Sequence, residues 1–163
     1  EWDYHLHRIA RSDSGRLYIA AEAGIAYRSD DDGATWTELP SPYEGSYFGV
    51  LPLDDDVVLL FGLRGHLYRS TDAGETWTEI ETGTTAMLTN GLRLADSRVV
   101  ITGLAGTLLV SADQGLTFDA VPQPDRGAIQ AVTQMADGNL VAAGLFGVRT
   151  IALSDLDAGG VSP

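Results

Sequence analysis

The chain contains no cysteine in 163 residues. Disulfide staples and thiolate metal sites are therefore excluded, and cysteine usage gives no clue to the redox compartment. Lysine is absent as well, so all ten basic residues are Arg, set against 23 Asp and Glu for a formal net charge of −13. A protein that displaces phosphate counterions needs a basic footprint, and this composition argues against nucleic acid as a partner. No apolar run approaches the roughly 18 residues of a membrane-spanning helix. No charged, apolar leader is present either, and Glu1-Trp2-Asp3 reads as a mature or trimmed start. Several catalytic signatures are also missing: a glycine-rich phosphate loop before a helix, a Gly-x-Ser-x-Gly elbow and His-Glu-x-x-His.

What is present is a repeat. With 44% hydrophobic and 20% charged residues the chain is composed as a packed protein, not a disordered tail. Three segments read Ser-x-Asp-x-Gly-x-Thr-aromatic: Ser29, Asp31, Gly33, Thr35, Trp36; Ser70, Asp72, Gly74, Thr76, Trp77; and Ser111, Asp113, Gly115, Thr117, Phe118. They stand 41 residues apart. Leu17, Val58, Val99 and Leu140 keep the same step at the start of apolar runs, and Gly24, Gly65, Gly106 and Gly147 keep it at a glycine turn. Independent markers sharing one period define a repeat architecture.

Each unit reads as short strands separated by turns. In the second, Tyr47–Leu53 is a strand, Asp54-Asp55-Asp56 a turn and Val57–Phe61 an apolar strand. Gly62-Leu63-Arg64-Gly65 makes a second turn, Leu67–Ser70 leads into the Ser-x-Asp segment and Thr76–Ile80 returns. About four strands in about 41 residues is the content of one β-propeller blade. The runs Val57–Phe61 and Val99–Ile101 lack in-and-out alternation, as expected of strands covered on both faces by neighbouring blades. The sequence therefore predicts an all-β propeller fold with blades at about 5–45, 46–86, 87–127 and 128–163. In each Ser-x-Asp segment the serine hydroxyl and aspartate carboxylate are expected to accept backbone N–H bonds, glycine to supply the positive φ, and Trp36 or Trp77 to fill the gap between blades. These aspartates are read as structural turns, not ligands for metal or sugar.

The segments are Asp-boxes, the signature of bacterial neuraminidase repeats. The stretches Gly62-Leu63-Arg64-Gly65-His66-Leu67-Tyr68-Arg69-Ser70, Ala20-Ala21-Glu22-Ala23-Gly24 and Pro42-Tyr43-Glu44-Gly45-Ser46 resemble the bacterial relatives of the photosystem II stability/assembly factor, over His5 to about Gly147. That resemblance implies a ring of about seven blades that binds proteins during membrane-complex assembly. It also implies an exported protein of the periplasm or another extracytoplasmic envelope compartment. The fourth unit departs from the pattern. Its Asp-box serine is expected at 152, where Ala152 stands; Ser154-Asp155-Leu156-Asp157-Ala158-Gly159 is degenerate, and Ala158–Pro163 makes a poor strand. The last blade is expected to lack its outer strand, and Glu1–Tyr4 are too few to supply it. Four blades also leave two apolar faces open. The remaining blades of the same protein, or a second copy completing an eight-blade ring, are expected to cover them.

Up-and-down strands place the Asp-boxes and Asp-rich turns on one face and the glycine turns and inter-blade linkers on the other. The second is expected to be the working face, presenting Glu22, Tyr43, Arg64, Arg126 and Phe146 near the inner-strand ends at His5 and Tyr47. Arg64 and Phe146, two periods apart, are read as large side chains at one turn position, where Ala23 and Ala105 stand in the other units. Arg28 and Arg69 are read as partners of nearby carboxylates. His5 and His7, two apart on a strand, share a face, but without a third ligand they are not read as a metal site. No cofactor is expected. The predicted function is a non-catalytic scaffold that binds membrane-associated protein partners without itself spanning the membrane. The alternative is a glycoside hydrolase. A sialidase-like site would require three Arg, a Tyr activated by a Glu, and an acid/base Asp, and no motif assembles that set. Carbohydrate binding would use exposed aromatics, with Tyr43, Tyr47 and Phe48 as candidates.

Overall fold

The computed structural model describes residues 4–160. The strands fall into four antiparallel sheets in chain order. The first holds β1 (Leu6–Arg11), β2 (Leu17–Ala21), β3 (Ala26–Ser29) and β4 (Thr37–Glu38). The second holds β5 (Tyr47–Pro52), β6 (Val58–Gly62), β7 (Leu67–Ser70) and β8 (Thr78–Glu79). The third holds β9 (Leu88–Arg93), β10 (Val99–Gly103), β11 (Leu108–Ser111) and β12 (Asp119–Ala120). The fourth holds β13 (Ile129–Gln134), β14 (Leu140–Gly144) and β15 (Gly147–Ile151). Strands β1, β5, β9 and β13 touch one another in that order, so each sheet is a blade with its first strand innermost.

The uninterrupted apolar strands follow from this stacking. All five residues of β6 are buried. Val58 and Leu60 enter the core shared with the first blade, whereas Leu59 and Phe61 enter the core shared with the third. The period of two survives as an alternation between two cores, not between core and water. In β10, Val99 and Ile101 likewise join one cluster and Val100 the next. At the two ends this pattern is interrupted. Ile9 is 58% exposed on the first blade and Val148 is 72% exposed on the fourth, because no sheet covers those faces among the described residues.

The return strand after each Asp-box is shorter than the sequence suggests. In the second blade it is Thr78–Glu79, because Asp72 accepts hydrogen bonds from both the N–H and hydroxyl of Thr76 and keeps that residue in the turn. The fourth unit requires a larger correction. In the first three blades the hairpin between second and third strands keeps one register, with Leu17 opposite Ser29, Val58 opposite Ser70 and Val99 opposite Ser111. In the fourth, Leu140 pairs with Ile151, one residue short of that frame. Gly144 pairs directly with Gly147, leaving the two-residue loop Leu145-Phe146. Phe146 and Gly147 therefore do not occupy the positions of Arg64 and Gly65. A one-residue slip reverses the face of every side chain after it, which explains why a 41-residue count misplaces them. Residues Leu153–Gly160 form a 3₁₀ segment in place of an Asp-box and return strand. Leu153 and Leu156 pack into the core between the third and fourth blades, and Asp157 pairs with Arg98 at 2.7 Å. Residues 161–163, the remainder of the expected poor strand, and Glu1–Asp3 lie outside the described residues.

Candidate partner-binding face

Two faces differ in kind. On one, the Asp-boxes form repeated closed networks. Ser70 Oγ donates to Asp72 Oδ1 at 2.7 Å and accepts the Gly74 N–H at 2.8 Å. Asp72 accepts the Thr76 N–H at 2.8 Å and its hydroxyl at 2.6 Å. The sets at Ser29–Thr35 and Ser111–Thr117 repeat these bonds. The turn places two successive residues at positive φ: Asp32 and Gly33, Ala73 and Gly74, Gln114 and Gly115. Hydrogen bonds from Thr76, its backbone and Ser70 hold the Asp72 carboxyl down at about 2. At Asp113 burial opposes ionisation, but bonds from Thr117 and Ser111 outweigh it and also hold the carboxyl at about 2. These carboxylates are occupied by their own turns.

Arg28 and Arg69 belong to this face and do more than pair with carboxylates. Arg28 does meet Asp30 and Glu75, but its Nη1 also donates to the Ala73 carbonyl at 2.9 Å. Arg69 Nε donates to the Gln114 carbonyl at 3.0 Å. Each clasps the Asp-box of the following blade. Trp77 sits in the gap between the first and second blades, and its Nε1–H reaches the Pro40 carbonyl at 2.8 Å. Trp36 stands at the same place in the first blade, on the uncovered side, half-buried.

The other face is made of hairpins seated on linkers. A side chain at Gly24, Gly65 or Gly106 would collide with the carbonyl of Tyr43, Thr84 or Asp125 respectively. These glycines therefore let three hairpins lie flush on three linkers. Gly147 has open space around it, as its shifted register requires. Each inner strand is also bulged near this face, at His7, Phe48, Thr89 and Gln130. A bulge removes one residue from the ladder and re-aims its side chain.

The candidate residues spread along this face without converging on one point. Glu22 in the first hairpin accepts the His5 N–H at 2.9 Å and meets its Nδ1 at 3.0 Å, and those bonds hold its carboxyl below the ordinary value. His7, on the bulge, instead stacks on Phe48 with centroids 4.6 Å apart. The bulge between Leu6 and Arg8 takes His7 out of the ladder, and the two histidines meet different partners, His5 at Glu22 and His7 at Phe48. Tyr43, in the first linker, stacks on His66 at 4.3 Å, and Tyr47 is fully buried behind it. Burial pushes the Tyr47 phenol up to about 12. Tyr47 is thus unavailable to a sugar, and Tyr43 and Phe48 each have a ring face occupied. Arg64 is exposed at φ 59° and Arg126 is exposed in the third linker. Neither has an ion-pair partner among the described residues. Phe146 is half-buried against the core, with the Arg149 guanidinium 4.0 Å from its ring centroid.

Sequence reasoning missed two features here. His66 meets Glu79 Oε1 at 2.6 Å and borders a cleft of about 270 Å³ with Arg64 and Thr82–Thr85. Arg149 bonds Gln123 and Asp125 and lines a cleft of about 340 Å³ beside β15, where the other blades carry a return strand. The strand readings could have placed His66 opposite the Glu79 strand. Nothing in the sequence signals Arg149, since its position depends on the slipped register.

This architecture is a β-propeller built from Asp-box repeats: residues 68–79 match the family described as BNR/Asp-box repeat. No curated protein matches the chain. Its fold is similar to that of YCF48. YCF48 from Cyanidioschyzon merolae superposes with a TM-score of 0.73 at 18% identity, over 94% of this chain and 55% of that one. A structure of YCF48 bound to D1 peptide superposes at 0.68 with 16% identity, over 91% and 50%. A GH74 enzyme of Niastella koreensis superposes at 0.72 with 19% identity, over 93% and 29%. The chain thus spans about half the length of the YCF48 structures.

Proposed function

We propose that the chain is a non-catalytic, protein-binding portion of a propeller, with the hairpin-and-linker face as its working surface. One observation carries this reading. The Asp-box face spends its polar groups on the same internal bonds in three blades, whereas the opposite face carries side chains that differ from blade to blade, with Arg64 and Arg126 left unpaired among the described residues. Variable, exposed side chains on a rigid repeat suit recognition, and Arg is a favoured anchor. Glu22, Tyr43 and Phe146 frame this surface. The peptide-bound state of YCF48, on the same fold, supports a polypeptide ligand. An accessory role to a membrane-protein complex in the periplasm, and closure of the uncovered blades by further blades or a second copy, complete the proposal.

The likeness to a GH74 enzyme makes glycoside hydrolysis the reading to test against it. A glycosidase needs an acid whose pKa is raised. Among the described residues each carboxyl with a displaced pKa, at Glu22, Asp30, Asp31, Asp72, Asp96 and Asp113, moves down. A displayed peptide library panned on the full chain is expected to return binders. The double variant Arg64→Glu, Arg126→Glu should lose them, whereas Leu116→Asp on the Asp-box face should keep them. Turnover of fluorogenic sialosides or other glycosides, or binders mapping to the Asp-box face, would overturn the reading. Fractionation of the source cells should recover the protein outside the cytoplasm.

A further inference from the structure

One position recurs in the first turn of every hairpin on the proposed working face. Its backbone N–H donates to the carbonyl just before the inner strand: Glu22 to His5 at 3.1 Å, Leu63 to Ser46 at 3.0 Å, Leu104 to Met87 at 2.9 Å and Leu145 to Ala128 at 3.2 Å. The register of the fourth blade is intact up to this point, since Ile129 pairs with Gly144 as Tyr47 pairs with Gly62. The slip begins only beyond Leu145. Three consecutive blades therefore present leucine at one equivalent site, and the turn at Leu63–Gly65 packs against β9 of the next blade, toward the inner strands. Leu63 and Leu104 are half-buried, and Leu145 is 81% exposed. Nothing in the hairpin geometry demands leucine, because Glu22 fills the same site in the first blade. An apolar row repeated at an exposed, permissive position is what a partner contact requires.

The surroundings indicate the chemistry of the occupant. Gln130, an exposed polar bulge residue on the innermost strand of the fourth blade, lies beside the row and can meet a peptide backbone, whereas the Thr89 hydroxyl already donates to the Ile129 carbonyl at 2.8 Å. Arg64 follows Leu63 directly and is exposed, without an ion pair among the described residues. Glu22, the acidic member of the series, is already engaged by His5. Arg64 is thus an unpaired cation directly beside the first leucine of the row, with the exposed Glu81 bordering the same cleft, in a chain that as a whole carries −13.

We propose that the row Leu63, Leu104 and Leu145 binds an extended apolar segment of a partner protein, with an acidic residue of that segment set against Arg64. This rests on the reading that the hairpin-and-linker face is the working surface, and it specifies what that surface takes. The row gives apolar contact at successive blades, and Arg64 fixes which end of the segment lies at the second blade.

The test uses the full chain and a fluorescein-labelled synthetic peptide of alternating Leu and Ser with an Asp at one end, read by fluorescence anisotropy. Leu145→Asp should weaken binding about tenfold, the effect of losing one buried leucine contact. Leu104→Ser should do likewise, and Leu116→Asp should change nothing. Arg64→Gln should weaken the Asp-ended peptide about threefold, as for one exposed charge pair, and leave a Lys-ended peptide unaffected. Leu145 is so exposed that its variant should melt as the parent does, which keeps the test valid even if Leu104→Ser is unstable. Absence of binding to the parent chain, or binding that survives Leu145→Asp, overturns the proposal. Library binders that persist in Leu145→Asp but vanish in the double arginine variant would leave the wider reading of the face standing. A library that returns nothing on that face would remove both.

Discussion

At the scale of single residues, the Asp-box works because a buried hydroxyl and an exposed carboxylate share the donors of one tight turn. Ser70 is 1% exposed, and its Oγ accepts the Gly74 N–H within the protein interior. Removing the hydroxyl leaves that donor unpaired, so Ser70→Ala should lower stability by about 1–3 kcal/mol, as chemical denaturation would show. The aspartates add a pH dependence of known sign. Asp72 and Asp113 titrate at about 2 in the folded protein, below the roughly 3.9 of an unfolded Asp. Their contribution is complete above the unfolded value and is lost as pH falls from about 4 through 2. The melting temperature should therefore hold level above about pH 5 and drop below pH 4, and Asp72→Asn with Asp113→Asn should flatten the drop. A decline centred near neutral pH in the parent protein would contradict this account.

At the scale of elements, the hairpins show how much depends on where a glycine sits and how little its φ alone reveals. Gly65 and Gly147 both have positive φ, 77° and 84°. A Cβ at Gly65 would strike the Thr84 carbonyl, whereas a Cβ at Gly147 meets open space. Gly147→Ala should cost only the left-handed backbone term, about 1–2 kcal/mol. Gly65→Ala should cost clearly more and should displace the linker carrying Thr82–Thr85, read as shifted amide resonances at those residues. Equal losses for the two variants would mean that the hairpin is not seated on the linker. The spacing of 41 residues exposed three of these hairpins in the sequence. It misjudged the fourth because one residue fewer in the turn moves the strand that follows one place off the 41-residue frame and reverses its faces, although Gly147 itself still falls on that frame. The inner-strand bulges at His7, Phe48, Thr89 and Gln130 were likewise invisible to pattern, since the four bulged residues share no side-chain type that would mark them.

At the scale of the whole molecule, cohesion runs from blade to blade. Apolar clusters fill each gap, and Arg28 and Arg69 clasp the next Asp-box. On the first blade Ile9 lies open, and on the fourth Val148 and Thr150 lie open opposite Ala143 and Val141. Uncovered sheet faces of this kind favour association. The 163-residue chain on its own should sediment above its 17.3 kDa mass, and Val148→Glu should shift it toward that mass. A parent chain that stays monomeric at high concentration would show that these faces tolerate water. The working face is legible only at this scale. Glu22, Tyr43, Arg64, Arg126 and Phe146 come from three hairpins and two linkers spread along the fan, and the structure lays them out along a surface instead of around a point.

The sequence by itself determined the all-β propeller, the position of every Asp-box and the burial of the second strands. Those features repeat locally, and each is encoded within a single 41-residue unit. Tertiary structure alone decided the shifted register of the last hairpin, the 3₁₀ segment that replaces the final Asp-box, the placement of Arg149 and the His7–Phe48 contact. The His7–Phe48 contact and the seating of the 3₁₀ segment on the third blade depend on packing across a gap that no single repeat contains, and the slipped register is a departure from the repeat itself.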